Sequence, residues 1–474
     1  MTRVFGLAAV LCGIAVLPVT LRAQSDAGIN SEARGIFQKL IETNTSDSVG
    51  SVTKASEAMA KRLLAAGFTE KDVIVAGPNE RKKNLVVRYH GSGKKKPILF
   101  IGHLDVVEAR REDWSVDPFQ FIEKDGFFYG RGTQDMKAGD AILAETFVRL
   151  KREGFVPDRD LILALTADEE GGNYNGIDWL VKEHRDWIDA EFCINLDGGE
   201  FEKLKGKRVL AGMQASEKLY ADFQLETRNP GGHSSVPGAE NAIYELSAAL
   251  LRVQAYSFPV EINEITRNYF GHAATLTSGQ LSADLRGAAK EPPDPESIKR
   301  LSNNPYYNSL LHTTCVATML AGGHAPNALP QMARANVNCR IFPGEDPEHV
   351  HKALERVVAD TKVSITAVVQ KTADGQVIPI VTVPPSPLLP EVTGALDRTL
   401  ATMWPGLPIV PTMSTGATDG KYLRIAGIPT YGIACMFFDM EDHRAHGKDE
   451  RIGVQDFYDG VEFGYRFVKT LSTR

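Results

Sequence analysis

The chain has 474 residues, 43% of them hydrophobic and 24% charged, with a formal net charge of −7. That is the composition of a soluble globular protein of two to three domains with a large core. The acidic balance speaks against a nucleic-acid surface: the short basic runs Lys94-Lys95-Lys96 and Lys203 to Arg208 read as solvated turns.

Residues 1–23 stand apart. Arg3 precedes an uncharged run, Val4 to Leu21, followed by Arg22-Ala23. A charged start, an apolar middle and a small residue at the cut describe a secretory signal peptide. The run also approaches bilayer-spanning length, so an uncleaved anchor is the alternative. Cys12 follows Leu11 rather than a small residue, against a lipoprotein. Cleavage would remove Arg3 and Arg22 and no acid, moving the formal charge from −7 to −9. No later stretch could cross a membrane, so the mature protein is expected to have no stable membrane association. Four cysteines remain, Cys193, Cys315, Cys339 and Cys435. Their spacing suggests no zinc knuckle, and buried free thiols are expected, although an exported protein could oxidise them.

In chain order, Ser31–Ile41 and Thr53–Ala66 read as helices, the second closed by Gly67. Asn84–Tyr89 and Ile98–Ile101 read as strands. Lys137–Glu153 carries Leu143, Phe147 and Leu150 at helical spacing and closes at Gly154. Strand Asp160–Thr166, helix Gly176–Trp187 and strand Glu191–Leu196 follow. Apolar strands alternating with helices predict a mostly parallel sheet covered on both faces. From about Met213 the strands alternate in polarity instead. Leu219–Glu226, helix Asn241–Tyr256, strand Met332–Ile341, a helix with Asp346 as N-cap and Pro347 at N1, and strand Val363–Val369 predict a separate α+β domain. Residues 257–325 are punctuated by Pro and Asn. After the Pro-rich link Val383–Pro387, helix Leu389–Met403, strand Ile428–Phe437 and helix Val454–Leu471 resume the α/β pattern.

Three successive apolar strands end in His103 with Asp105, in Glu169 with Glu170, and in Asp197. Between the first two, the glycine-loosened loop Gly130 to Lys137 delivers Asp135 just before a helix. Strand ends in an open α/β sheet converge on one edge, where ligands bind. Several carboxylates meeting there repel unless a cation neutralises them. His, Asp and Glu without thiolates suit Zn²⁺, Mn²⁺ or Co²⁺. Spacing alone does not say which of Glu169 and Glu170 is the ligand.

GHLDVV, GRGTQDMK, ADEEGG, NLDGG, GGHSS, NALP, TGATDG and HGKDER occur in this order between Gly102 and Arg451, within a likeness that runs from about residue 30 to the C-terminus. Together they resemble the M20 family of dinuclear zinc peptidases and N-acyl amino acid hydrolases. The resemblance implies His103, Asp135, Glu170, Asp197 and His446 as ligands of two divalent ions, most simply zinc, with Asp135 bridging. It implies Asp105 as the acid orienting His103, Glu169 as general base, and a cis peptide after Asp135. His443 is the competitor for the last ligand, but His446 sits in the family's HG-x-x-E frame with Gly447 and Glu450. The fold implied is a zinc-peptidase-like α/β catalytic domain in two parts, 30–212 and 384–474, around a ferredoxin-like lid and dimerisation domain at 213–383. On the lid, His233 matches an oxyanion-stabilising histidine, and Asn327 and Arg340 match positions holding the substrate's carboxylate. Gly416 and Thr418 match a loop beside the metals, while Asp419 reads as structural. Residues 257–325, the NALP motif and Asp197 in place of glutamate resemble the carboxypeptidase S-like and N-acyl amino acid hydrolase branch. The expectation is an exported, homodimeric hydrolase of small peptides. Aminoacylase action is the same-class alternative, and a catalytically silent binding protein the distant one.

Overall fold

A computed structural model of the chain describes residues 17–369 and 380–473, with side chains from residue 28 onward. The expected signal peptide lies outside the side chains described. No described helix is long and apolar enough to cross a membrane.

The larger body is built on a ten-stranded, mainly parallel sheet. At its centre Leu161–Thr166, Ile98–His103, Phe192–Asn195 and Thr430–Gly432 run side by side and parallel. The first three are buried along their whole length, as a sheet covered on both faces requires. Helix Lys137–Arg152 packs on one face with the closing helix Val454–Leu471. The shorter helices Gly176–Glu183 and Arg185–Ile188 cover the other. The expected single helix Gly176–Trp187 is broken at His184, whose φ of −142° is not helical. The expected strand Ile428–Phe437 is likewise two short strands, Thr430–Gly432 and Phe437–Asp439, with Cys435 between them at positive φ.

The smaller sheet is antiparallel, with Thr314–Gly322, Met332–Ile341, Leu219–Arg228 and Val363–Val368 adjacent in that order. Helices Ala242–Ala255 and Pro347–Val358 pack with it around a separate core that includes Leu246, Phe223, Val337 and Leu354. In sequence order this is strand–helix–strand–strand–helix–strand, the ferredoxin-like arrangement. Asp346 caps its helix by accepting from the Glu348 N–H at 2.9 Å, with Pro347 behind it.

Two expectations need correction. Cys315 and Cys339, opposite each other on neighbouring antiparallel strands, form a disulfide; Cys193 and Cys435 are the buried free thiols. The segment taken as the long middle of the inserted domain also belongs elsewhere in part. Its helices Glu264–Leu276, Gly279–Ala288, Pro295–Leu301 and Pro305–Leu311 bury Ile265, Phe270, Leu285 and Leu311 in the core of the larger body. The Pro and Asn punctuation is capping chemistry: Asn263, Asp294 and Asn304 are N-caps, and Pro295 and Pro305 open their helices.

Candidate metal centre and active site

Strand register explains how the site assembles. His103 pairs with Thr166, and Ile101 with Asn195. Glu169 and Glu170 therefore leave the sheet beside His103, and Asp197 leaves it on the opposite flank. Gly102 is required in front of His103, because a Cβ there would collide with the Asp140 carboxylate.

Asp135 arrives from the loop ahead of helix Lys137–Arg152, through a cis peptide bond to Met136. A buried acid, Glu450, shapes that loop. One of its oxygens accepts from Arg131 (2.7 Å) and the Gly132 N–H (2.9 Å), the other from the Gln134 (2.6 Å) and Asp135 (3.0 Å) N–H groups. The Asp105 carboxylate performs the same service on the neighbouring loop, accepting from the Glu169 (3.2 Å) and Glu170 (3.0 Å) N–H groups.

The Asp135 carboxylate lies between two histidines. Its Oδ1 is 3.1 Å from His103 Nε2, and its Oδ2 is 3.0 Å from His446 Nε2. His446 Nε2 is also 2.9 Å from Glu170 Oε1. The other nitrogen of His103 lies 3.1 Å from the Asp105 carbonyl and 3.7 Å from its carboxylate, which sets the ring's tilt. Two ligand sets result, His103–Asp135–Asp197 and Asp135–Glu170–His446, each with its donor atoms within 4.8 Å of one another. They share Asp135, one oxygen toward each.

The electrostatics fit a cation pair. Burial, and then the charges of neighbouring carboxylates including Asp135, push Asp197 up to about 8. Burial and the Asp197 charge hold Glu169 well above the usual carboxylate range. Asp135 runs the other way: despite burial, its hydrogen bonds to His103 and His446 hold it below its ordinary value. His446 is pushed up to about 10 by Asp135 and then Glu170. Among the described residues no hydrogen-bond donor reaches the Asp197 or Glu169 carboxylates. Acids crowded and unsatisfied in this way fit divalent ions as their missing partners.

Asp135, Glu169, Glu170, Asp197 and His446 open into a cavity of about 400 Å³, lined also by Gly198, Gly199, Glu200, Glu202, Gln214, Tyr306, the strand end Thr412–Ser414 and the loop residues Thr415, Ala417 and Thr418. Thr418 donates to Glu217 through both its N–H (3.0 Å) and its hydroxyl (2.8 Å), and Arg424 holds Glu217 from behind at 2.9 Å. The Gly416 N–H turns to Ser414 Oγ at 3.0 Å. Asp419 is buried, accepting from Asn175 (2.6 Å) and Thr166 (3.2 Å), as a structural acid does. The lid residues are not brought here. His233 is exposed and 2.7 Å from Ser235 Oγ; the Asn327 carbonyl accepts from Ser234; Arg340 lies over the Tyr220 ring at 4.7 Å. None of the three lines the cavity.

Glu450, Glu217, Glu200, Glu202, Gln214 and Tyr306 were missed as functional candidates. Glu450 alone carried a signal, its place in the HG-x-x-E frame.

A mainly parallel α/β body presenting two histidine–carboxylate sets around a shared aspartate defines a metal-dependent hydrolase. The description Peptidase family M20/M25/M40 matches residues 99–470, and the chain belongs to that family. It is 28% identical over 435 residues to the human N-fatty-acyl-amino acid synthase/hydrolase PM20D1, covering 87% of this chain and 80% of that one. It is 27% identical over 399 residues to probable carboxypeptidase S-like 2 of Dictyostelium discoideum, with 81% and 74% coverage. The fold is that of the M20 family metallo-carboxypeptidase Sso-CP2 from Sulfolobus solfataricus (TM-score 0.66, 15% identity, 93% of this chain and 99% of that one).

Proposed function

We propose that the protein is an exported amide hydrolase acting beside a free carboxylate, on dipeptides or the C-terminal residue of short peptides, with two zinc ions held by His103, Asp135, Glu170, Asp197 and His446. The observation that carries this reading is the sharing of Asp135 between two ligand sets. Ions held by these residues would supply Lewis acidity to a water and to the scissile carbonyl. Glu169 is next to Glu170 but belongs to neither set, and its raised affinity for protons suits a base that takes the water's proton and returns it to the leaving amine. Asp105 fixes both the His103 ring and the loop presenting Glu169.

The lid supplies the remainder. His233 stabilises the oxyanion, and Asn327 and Arg340 hold the substrate carboxylate, once the lid closes or a second copy contributes. A homodimer through the lid is supported by its open edge strand, where Val316, Met319 and Leu320 are 61%, 71% and 71% exposed, and by Tyr244 and Leu251 on the adjoining helix at 73% and 65%. Export is supported by the Cys315–Cys339 disulfide, a bond that persists in oxidising compartments. The second reading, hydrolysis of N-acyl amino acids, is favoured by the name of the human relative.

Exhaustive chelation should abolish turnover of a dipeptide, and Zn²⁺, Co²⁺ or Mn²⁺ should restore it. Glu169→Ala should retain two metal equivalents while kcat falls by about 10²–10⁴. Full turnover after chelation, or an active Glu169→Ala enzyme, would overturn the assignment.

A further inference from the structure

Beyond the two ligand sets, one wall of the cavity is made of hydrogen-bond acceptors. Glu200 and Glu202 line it where the strand Phe201–Leu204 begins, a short turn after Asp197. Both lie outside the ligand sets, so ions bound there would leave their charge unanswered. Among the described residues only His443 approaches, with Nε2 3.7 Å from Glu200. Gln214 supplies a third acceptor. It is 3% exposed, and its amide nitrogen donates to Glu217 Oε2 at 3.1 Å. Because an ionised carboxylate only accepts, that bond fixes the amide's orientation and leaves Oε1 beside Gly198, another cavity residue. Among the described residues no donor reaches that oxygen. Tyr306, from the helical segment 264–311, lines the same cavity, its hydroxyl 3.0 Å from that of Tyr269. Among the described residues no lysine or arginine lines the cavity.

We infer that Glu200, Glu202, the Gln214 oxygen and Tyr306 form a subsite for a protonated amine on the acyl portion of the substrate, so that the enzyme selects aminoacyl over neutral and fatty-acyl amides. This rests on the amide-hydrolase reading above. The substrate's carboxylate end cannot occupy a wall of two carboxylates, and Arg340, assigned to that end, lies outside the cavity lining. The acyl portion therefore faces this wall. An alkyl chain laid against it would strip water from Glu202 and Gln214 and give no hydrogen bond in return. An ammonium group answers the acceptors and gains from a tyrosine face as well. Burial and then the Glu200 charge already push Glu202 up to about 7, a state that an incoming cation relieves.

The experiment measures kcat/KM of the metal-loaded enzyme on one leaving amino acid bearing glycyl, β-alanyl or 6-aminohexanoyl groups. Each is compared with its neutral isostere, and the series is extended to an N-palmitoyl amide. At least one amine-bearing substrate should exceed its isostere about tenfold or more, the size of one charged hydrogen bond. Glu202→Gln and the Glu200→Gln/Glu202→Gln double variant should move that ratio toward one. Equal or better turnover of the neutral partner at every length, or of the palmitoyl amide, overturns the inference while leaving the hydrolase reading intact. So does a ratio unmoved in folded, metal-replete variants. The wild-type ratios decide alone if the variants do not fold. No turnover of any substrate overturns the hydrolase reading itself, and the subsite with it.

Discussion

The metal-bearing loops and the lid loop are held in opposite ways. Around the candidate metal site, buried acids stand behind several of the side chains: Asp105 behind His103 and the Glu169–Glu170 turn, Glu450 behind Asp135, and Glu217 behind Thr418. On the lid, His233 has among the described residues only Ser235, two residues away, and is exposed. The contrast shows which half of the chemistry is preorganised. On the proposed reading, ligands and base would stand in place before substrate arrives, whereas the oxyanion and carboxylate contacts would await a movement or a second copy.

Of the effects that bear on this contrast, the largest tests the loose half. His233→Ala should lower kcat by about 10²–10³, the cost of one oxyanion donor, with metal content unchanged. An enzyme retaining full kcat would show that the lid histidine stays as far from the reaction as it stands here. The tight half is tested by Glu450→Gln, which keeps the shape but weakens the acceptors facing Arg131 and three backbone N–H groups. Metal affinity, measured by competition with a chromophoric chelator, should fall about 10–100-fold. An unchanged affinity would mean that Asp135 does not need its mount.

The smallest effect lies away from both regions. Glu145, 2% exposed on helix Lys137–Arg152, is pushed up to about 8 by burial, only partly offset by Arg149. An acid that resists ionising when folded costs nothing below its ordinary value of 4.5. The cost grows as pH rises toward 8 and is constant above that. Glu145→Gln should therefore leave stability at pH 4 unchanged and raise it by a few kcal/mol at most at pH 8 in urea melts. A gain of equal size at both pH values would assign the effect to packing.

How much of this was readable from residues alone follows the same division. The strand ending at His103 and the one ending before Glu169 were visible because buried parallel strands read as apolar runs, and chemistry at their ends breaks the run. The chain order of short motifs then carried the ligand set. Glu450 was seen only as part of a frame, because its work is done on N–H groups some 315 residues earlier in the chain. The disulfide needed the register that sets Cys315 opposite Cys339. Residues 264–311 show a different failure. The Pro and Asn punctuation of residues 257–325 names no element by itself, although such residues at the right offsets start helices, and nothing local says which sheet those helices will cover. The acceptor wall of Glu200, Glu202 and Gln214 was invisible for a related reason: Tyr306 reaches it only through that packing.

The reach of Glu450 also sets an order of events during synthesis. Until the ribosome has passed residue 450, the loop carrying Asp135 lacks its acceptor, and until residue 446 the second ligand set lacks its histidine. A nascent or truncated chain ending anywhere in the first nine-tenths of the sequence therefore has no complete site to capture a pair of ions. Hydrolytic competence is withheld until almost the last helix is made.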